Sequence, residues 1–400
     1  EALNSRMMRG DVPLNLTATS LILNAYMYTG DEKYKQWIVD YVNAWIERTR
    51  RNHGIIPDNV GPTGKIGEHR EGQWWGGLYG WNSFMGYGIM FSSLTIAAEC
   101  AVLLTGDFGY LELLRSQIKV LLDNATIRED GHLTPPARYG PDGWEYCMGH
   151  PDPEQGRMQL FRLQELTHLY HISMAAEDYD LIARVRETDK ERDWNHVPVL
   201  GEKSYADTEL ARFQYYDGKN PDWPVKILQA EYHNAQTTFE SIQNETRDAR
   251  TLIADNVESP NPVFTKGLTQ VAMGAPQSVY TGGLLRATVR YFDSDRVRPG
   301  LPLDVAALVD KLGADSAGIQ LVNLNTSEAR NLIVQAGAFA EHEFVEVTYS
   351  DQTATVNSKY FAVQLPPGTS IRLDVAMRRF AHQPTYAFPW HGEEIPVPYQ

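Results

Sequence analysis

The chain repeats itself. Tyr28-Thr29-Gly30-Asp31-Glu32-Lys33-Tyr34 aligns with Leu104-Thr105-Gly106-Asp107-Phe108-Gly109-Tyr110, which sets Gly30 and Gly106 76 residues apart. Downstream, His53-Gly54-Ile55-Ile56-Pro57 aligns with Asp130-Gly131-His132-Leu133-Thr134-Pro135, with the glycines 77 apart. A duplicated unit of this kind cannot bury its apolar face alone, so copies must stack on one another. Each unit reads as helix, tight Thr-Gly-Asp turn, helix, then a long loop. Trp37, Tyr41 and Trp45 recur at i, i+4 and i+8 with Ile38 and Val42 beside them, and Leu111, Leu114, Ile118, Leu121 and Leu122 form the matching stripe. Gly30 and Gly106 suit left-handed helix C-caps, and Asp31 and Asp107 suit the following N-caps.

A weaker third copy carries Leu160, Leu163, Leu166, Tyr170 and Ile172 and reopens at Glu177-Asp178-Tyr179, and a further helix is predicted over 225–254. The pattern yields about seven helices. Three long loops, near 53–87, 128–157 and 189–224, separate them. Each exceeds the roughly 15 residues above which a connection without secondary structure is usually functional or disordered. Their content of Trp, Tyr, His and Gly argues against disorder, and stacked hairpins bring all three to one end.

The first loop holds the densest aromatic stretch, Gln73 to Tyr87, in which Trp74, Trp75, Tyr79 and Trp81 alternate with glycines. Flat rings with polar edges suit the C–H faces of sugars, and glycines let a backbone approach closely. From about residue 260 the pattern changes to short strands: 319–324, 332–334, 344–349, 359–365 and 371–377, with Pro366-Pro367-Gly368 as a turn. Two domains follow, a helical one over 1–260 and an antiparallel β-sandwich over 261–400.

The 400 residues are 42% hydrophobic and 22% charged, an ordinary globular balance. A formal charge of −15 excludes nucleic acid and an anionic membrane as main partners and suits a neutral glycan. No apolar run approaches the roughly 18 to 20 residues that span a bilayer, and residues 1–20 lack the order of a signal peptide, the start at Glu1 being consistent with a leader already removed. Arg48, Arg50, Arg51, Lys65 and Arg70 cluster, which a helix C-terminus explains through its dipole. Cys100 and Cys147 are too few for a disulfide framework or a thiolate metal site, and no metal or cofactor is expected.

Helical hairpins with Thr-Gly-Asp-x-x-Tyr turns, long aromatic loops at one end and a C-terminal sandwich with Leu365-Pro366-Pro367-Gly368-Thr369 resemble the (α/α)-toroid superfamily of carbohydrate enzymes. Its members are glycoside hydrolases, polysaccharide lyases and sugar epimerases. The resemblance implies an (α/α) toroid or partial toroid followed by an antiparallel β-sandwich, a carbohydrate substrate, and a secreted or periplasmic location. A six-hairpin toroid has twelve helices, so this chain is either an open arc or the C-terminal part of a longer protein.

Hydrolysis of a glycoside needs one protonated and one ionised carboxyl flanking the scissile bond. Glu68 and Glu145 are the preferred pair, because aromatic neighbours raise a carboxyl pKa, and Asp58 is the alternate. Trp74, Trp75, Tyr79, Trp81, Trp144 and Arg138 are the expected substrate contacts. A uronate lyase would draw on Tyr146 and His150 for proton abstraction, with Arg138 and Asn82 offsetting charge. A carbohydrate-binding protein without catalysis is the third reading. His168 and His171, at i and i+3, read as structural.

Overall fold

The computed structural model describes residues 10–77, 79–81, 87–148, 157–158, 164–197, 208–248, 250, 263, 265–273, 286–391 and 395–398. Among them the fold is mixed: helices, with three short two-stranded sheets between them, β1 (Thr126–Ile127) with β2 (Leu133–Thr134), β3 (Arg138–Gly140) with β4 (Gly143–Glu145) and β5 (Cys147–Met148) with β6 (Arg157–Met158), and after them two larger antiparallel sheets. The helices are α1 (Ala18–Thr29), α2 (Glu32–Arg51), α3 (Gly88–Thr105), α4 (Glu112–Asp123), α5 (Gln164–Ser173), α6 (Ala176–Thr188), α7 (Thr208–Tyr216), α8 (Trp223–Gln243) and α9 (Lys266–Ala272).

The duplicated turn repeats bond for bond. Gly30 (φ 66°) closes α1 and Gly106 (φ 73°) closes α3, their N–H groups donating to Tyr26 O and Val102 O at 2.7 Å each. The next aspartate caps the element that follows, Asp31 accepting from Lys33 N at 3.0 Å and Asp107 from Gly109 N at 2.8 Å. Each threonine hydroxyl in turn accepts from that aspartate's N–H, at 3.2 Å for Thr29 and 3.1 Å for Thr105. The second copy differs in opening with a 3-10 turn, Phe108–Leu111, ahead of α4.

Helices α1, α3, α5 and α7 pack side by side in sequence as an inner row, with α2, α4, α6 and α8 outside them. α3 is buried almost throughout, while α2 buries only Ile38, Val42, Trp45 and Thr49. α3 corrects the sequence expectation about apolar runs: its 18 residues are long and apolar enough to cross a membrane, yet 78% of them are buried within the protein. An inner helix surrounded by α1, α2, α4 and α5 has no solvent face to keep polar, so its pattern loses periodicity.

Two further differences follow from tertiary contact. The predicted third loop contains α7, which closes the inner row, and the predicted helix 225–254 is α8, which ends at Gln243 and leaves Leu228, Tyr232 and Phe239 exposed. Arg48, Arg50 and Arg51 occupy the last turn of α2, as its dipole favours, and pair with Asp11 and Glu47.

In the C-terminal region a five-stranded sheet runs β13 (Gln352–Ser358), β12 (Glu343–Tyr349), β15 (Ser370–Arg378), β10 (Ser316–Asn323), β9 (Val305–Leu312). A four-stranded sheet runs β14 (Tyr360–Leu365), β11 (Arg330–Ala336), β7 (Val289–Asp293), β8 (Arg298–Pro299). Every pairing is antiparallel, with Ile319 opposite Leu373 and Leu332 opposite Val363. Leu373, Val375 and Met377 alternate inward along β15 and meet Leu332, Val334 and Phe361 of the other sheet in one core, which makes a sandwich. The Pro366-Pro367-Gly368 turn carries the chain from one sheet to the other, Gly368 taking φ 65°. Among the described residues the sandwich strands run from Val289 onward, after α9.

The helical core is separate but reaches into the sandwich region: Ala338 and Phe339, in the loop after β11, belong to it. Tyr386 N–H also donates to Leu103 O at the end of α3, at 3.3 Å.

Candidate functional site

The described part of the first loop, residues 52–77 and 79–81, folds around a carboxylate. Asp58 is fully enclosed and accepts from three backbone N–H groups: Gly76 at 3.1 Å, Gly77 at 2.9 Å and Trp81 at 2.6 Å. Its own N–H donates to Trp74 O at 3.0 Å. Burial pushes its pKa up to about 6, against the pull of those N–H groups. A Cβ at Gly77 would lie 2.3 Å from Asp58 O, and one at Gly80 2.4 Å from the Asp58 side chain. These two glycines therefore serve the approach of the loop to Asp58, a reason different from the sugar contact expected of them.

Trp81 is also internal, fully buried with its indole N–H donating to Ile56 O at 2.7 Å, which corrects the expectation of an exposed ring. Trp74, Trp75 and Tyr79 stay half-buried.

The second loop meets the first through a short hairpin of β3 (Arg138–Gly140) and β4 (Gly143–Glu145). Tyr139 N–H donates to Trp81 O at 3.3 Å, and its ring lies 4.6 Å from Trp74, 5.4 Å from Trp75 and 4.8 Å from Trp144. Trp144 in turn sits 5.1 Å from Trp81, so rings from both loops form one continuous cluster. The third loop joins through His132 Nδ1, 2.8 Å from Asp189 Oδ1. The three connections thus come together in space, each linking an outer helix to the next inner one.

The nominated carboxylates are placed less alike than expected. Glu68 folds back over Gly61 and accepts from Thr63 N at 3.1 Å, and the hydrogen bonds from Thr63 hold its pKa below the ordinary value. The sequence expectation of a raised pKa there is corrected: the hydrogen bonds from Thr63 outweigh desolvation. Glu145 lies across Gly140 and is ion-paired with Arg138, its cross-strand partner. Tyr146 donates its hydroxyl proton to Asn124 O at 2.8 Å. Asn82 and His150 lie outside the described residues.

A second polar cluster escaped the sequence reading. Glu99, in the middle of α3, is fully buried and accepts from Arg286 Nη2 at 2.9 Å. His168 Nδ1 of α5 lies 3.9 Å from the same oxygen, and Arg212 of α7 reaches His168 Nε2 at 3.3 Å. Ser92 donates to Glu165 at 3.2 Å one level up. Burial pushes Glu99 up to about 7, while Arg286 and Arg212 pull it down. The signal was present: a glutamate amid the apolar run Ile96 to Leu104 must have a buried partner. His171 is buried and stacked 4.3 Å from Phe380, its pKa driven down by burial. Cys100 and Cys147 are both free thiols.

The fold is thus of the mixed class, inner and outer helices followed by an antiparallel sandwich. A family model described as a domain of unknown function (DUF8034) matches residues 1–269, and the chain belongs to that family. No protein of curated function matches it. Among solved structures it is similar to an inactive variant of the alpha-1,6-mannanase GH76A of Salegentibacter sp. HEL1_6 in complex with alpha-1,6-mannotriose. The identity is 13% and the TM-score 0.31, over 63% of this chain and 69% of the mannanase.

Proposed function

We propose that this chain is a carbohydrate-active protein, a glycoside hydrolase in its finer reading, that takes a glycan across the half-buried rings of Trp74, Trp75, Tyr79 and Trp144. The observation that supports this is the convergence of rings from two loops, far apart in sequence, into one cluster with Tyr139 4.6 Å from Trp74 and 4.8 Å from Trp144. Core packing alone does not require four large aromatics to remain partly solvated, whereas stacking on sugar rings does. The same reading makes the helical region, with α9 packed on α8, an open arc of an (α/α) toroid, followed by the sandwich as a second unit.

In the hydrolase, Glu145 takes the ionised role, its charge matched by Arg138. Glu68 suits the same role, since its pKa is lowered. Asp58 keeps its proton to about pH 6 but lies beneath Gly76, Gly77 and Trp81. Asp58 is enclosed and Glu68 is lowered in pKa, so neither fits an accessible general acid, which favours a second reading, glycan binding without turnover.

A panel of neutral and uronate-containing oligosaccharides separates the readings, with reducing ends, near-ultraviolet absorbance and binding followed together. New reducing ends that disappear in Glu145→Gln support the hydrolase. Absorbance from an unsaturated product would replace it with a lyase. Binding that Trp75→Ala weakens, without product, leaves the non-catalytic reading, and no binding of any glycan would sink all three.

A further inference from the structure

A cleft of about 1000 Å³ lies at the other end of α3 from the aromatic loops, between α1 and strands β7 and β8. Its separation follows from helix geometry: Phe91 packs on Trp81 at one end and Leu103 accepts from Tyr386 at the other, about 18 Å apart at 1.5 Å per residue. The volume is at the upper end of the usual range for small-ligand sites, and a junction between helices and a sheet is where such sites tend to form.

Three features of the lining go beyond a packing fault. Tyr28 on α1 is 91% exposed at the rim, and Phe339 and Tyr386 supply further rings inside. The Tyr291 hydroxyl is buried with no hydrogen-bond partner among the described residues, a donor and acceptor left for something else. Arg290 forms no ion pair with a carboxylate among the described residues. Its guanidinium makes one hydrogen bond of 3.4 Å, to Ala338 O, and otherwise lies against the rings of Phe292 at 5.0 Å and Tyr386 at 5.5 Å. The acidic side chain that influences it, Glu341, is fully buried and pushed toward its neutral form. A partly buried guanidinium presents five donors in a fork, so one without a carboxylate is a ready anion receptor.

We propose that this cleft is a second binding site, distinct from the aromatic loops, for an oligosaccharide bearing a carboxylate. Arg290 takes the carboxylate, Tyr291 bonds a ring hydroxyl, and Tyr28 and Tyr386 stack on sugar faces. Asn24, exposed on the α1 wall, adds a polar contact of either sense.

The test is calorimetric titration of the full chain with trigalacturonate and with its methyl ester. The parent should bind the acid about tenfold more tightly than the ester, the scale of one charge-assisted contact. Arg290→Gln should abolish that preference, and Tyr28→Ala, at a position too exposed to threaten folding, should weaken both ligands several-fold. Trp75→Ala should leave the acid's affinity intact, which separates this cleft from the loop face. Equal affinity for acid and ester, no binding of the acid, or binding of the acid that Trp75→Ala removes while Tyr28→Ala does not, would each overturn the proposal.

Discussion

At the scale of single residues, Asp58 carries more than its position in a loop suggests. Three N–H groups converge on one carboxylate, and without it those of Gly77 and Trp81 would lose a buried acceptor. Asp58→Ala is therefore expected to cost about 3 kcal/mol or more, since each orphaned buried donor costs about 1 to 3 kcal/mol. Chemical denaturation followed by tryptophan fluorescence checks this, because Trp74, Trp75 and Trp81 border the same carboxylate. A loss under about 1 kcal/mol would mean that water replaces the side chain. Asp58 was legible as a notable residue from Ile-Pro-Asp-Asn-Val-Gly, but its role was not. Its bonds run to residues 18 to 23 positions away, and nothing local specifies that.

At the scale of elements, the Thr-Gly-Asp turn was legible in full, since every bond in it lies within four residues. Gly30 and Gly106 meet nothing within 4 Å where a Cβ would stand, so only their positive φ resists substitution. Gly30→Ala and Gly106→Ala should each lower stability by about 1 kcal/mol, and the double variant by the sum, because the turns are independent. Urea unfolding of the four-member set checks additivity. By contrast Gly77→Ala, which drives a methyl into Asp58, should cost clearly more than either turn variant. Loop glycines that look alike in sequence thus divide by what lies opposite them. α7 was read as loop and α8 was drawn too long for a related reason: α7 buries Arg212 and Gln214 beside Leu210, Ala211 and Phe213, and α8 leaves apolar residues exposed, so neither carries a clean 3.6-residue period.

At the scale of the whole molecule, Arg286 ties the segment that leads into the sandwich to the central helix, through Glu99. Arg286→Ala leaves a buried carboxyl without its partner and should lower stability by about 3 kcal/mol, with much of the loss recovered when Glu99→Met is added. Scanning calorimetry of the two variants and the parent decides it. The same glutamate sets a pH dependence. Its folded pKa of about 7 lies above the ordinary 4.5, so the folded state holds a proton that the unfolded state releases. The stability this contributes is complete below about pH 4.5 and is lost as pH rises toward 7. His171 and His342, with lowered pKa values, tilt the curve the other way. The readout is therefore the difference between parent and Glu99→Gln, which should shrink the fall in melting temperature between pH 5 and pH 7. Parallel curves would show that Glu99 does not titrate there.

The sequence by itself determined the hairpin unit, its turns and caps, the strands that alternate inward, and the aromatic richness of the loops, because each depends on neighbours a few residues away. Tertiary structure alone decided that Trp81 is core while Trp74 and Trp75 are not, and that Glu145 faces Arg138. It also decided that Glu99 meets residues of α5, α7 and the segment before the sandwich, and that a cleft opens between α1 and β7. Those outcomes depend on which surfaces are brought together across tens to hundreds of residues. Burial, and with it the protonation of a carboxyl, is a property of that assembly and not of the local chain.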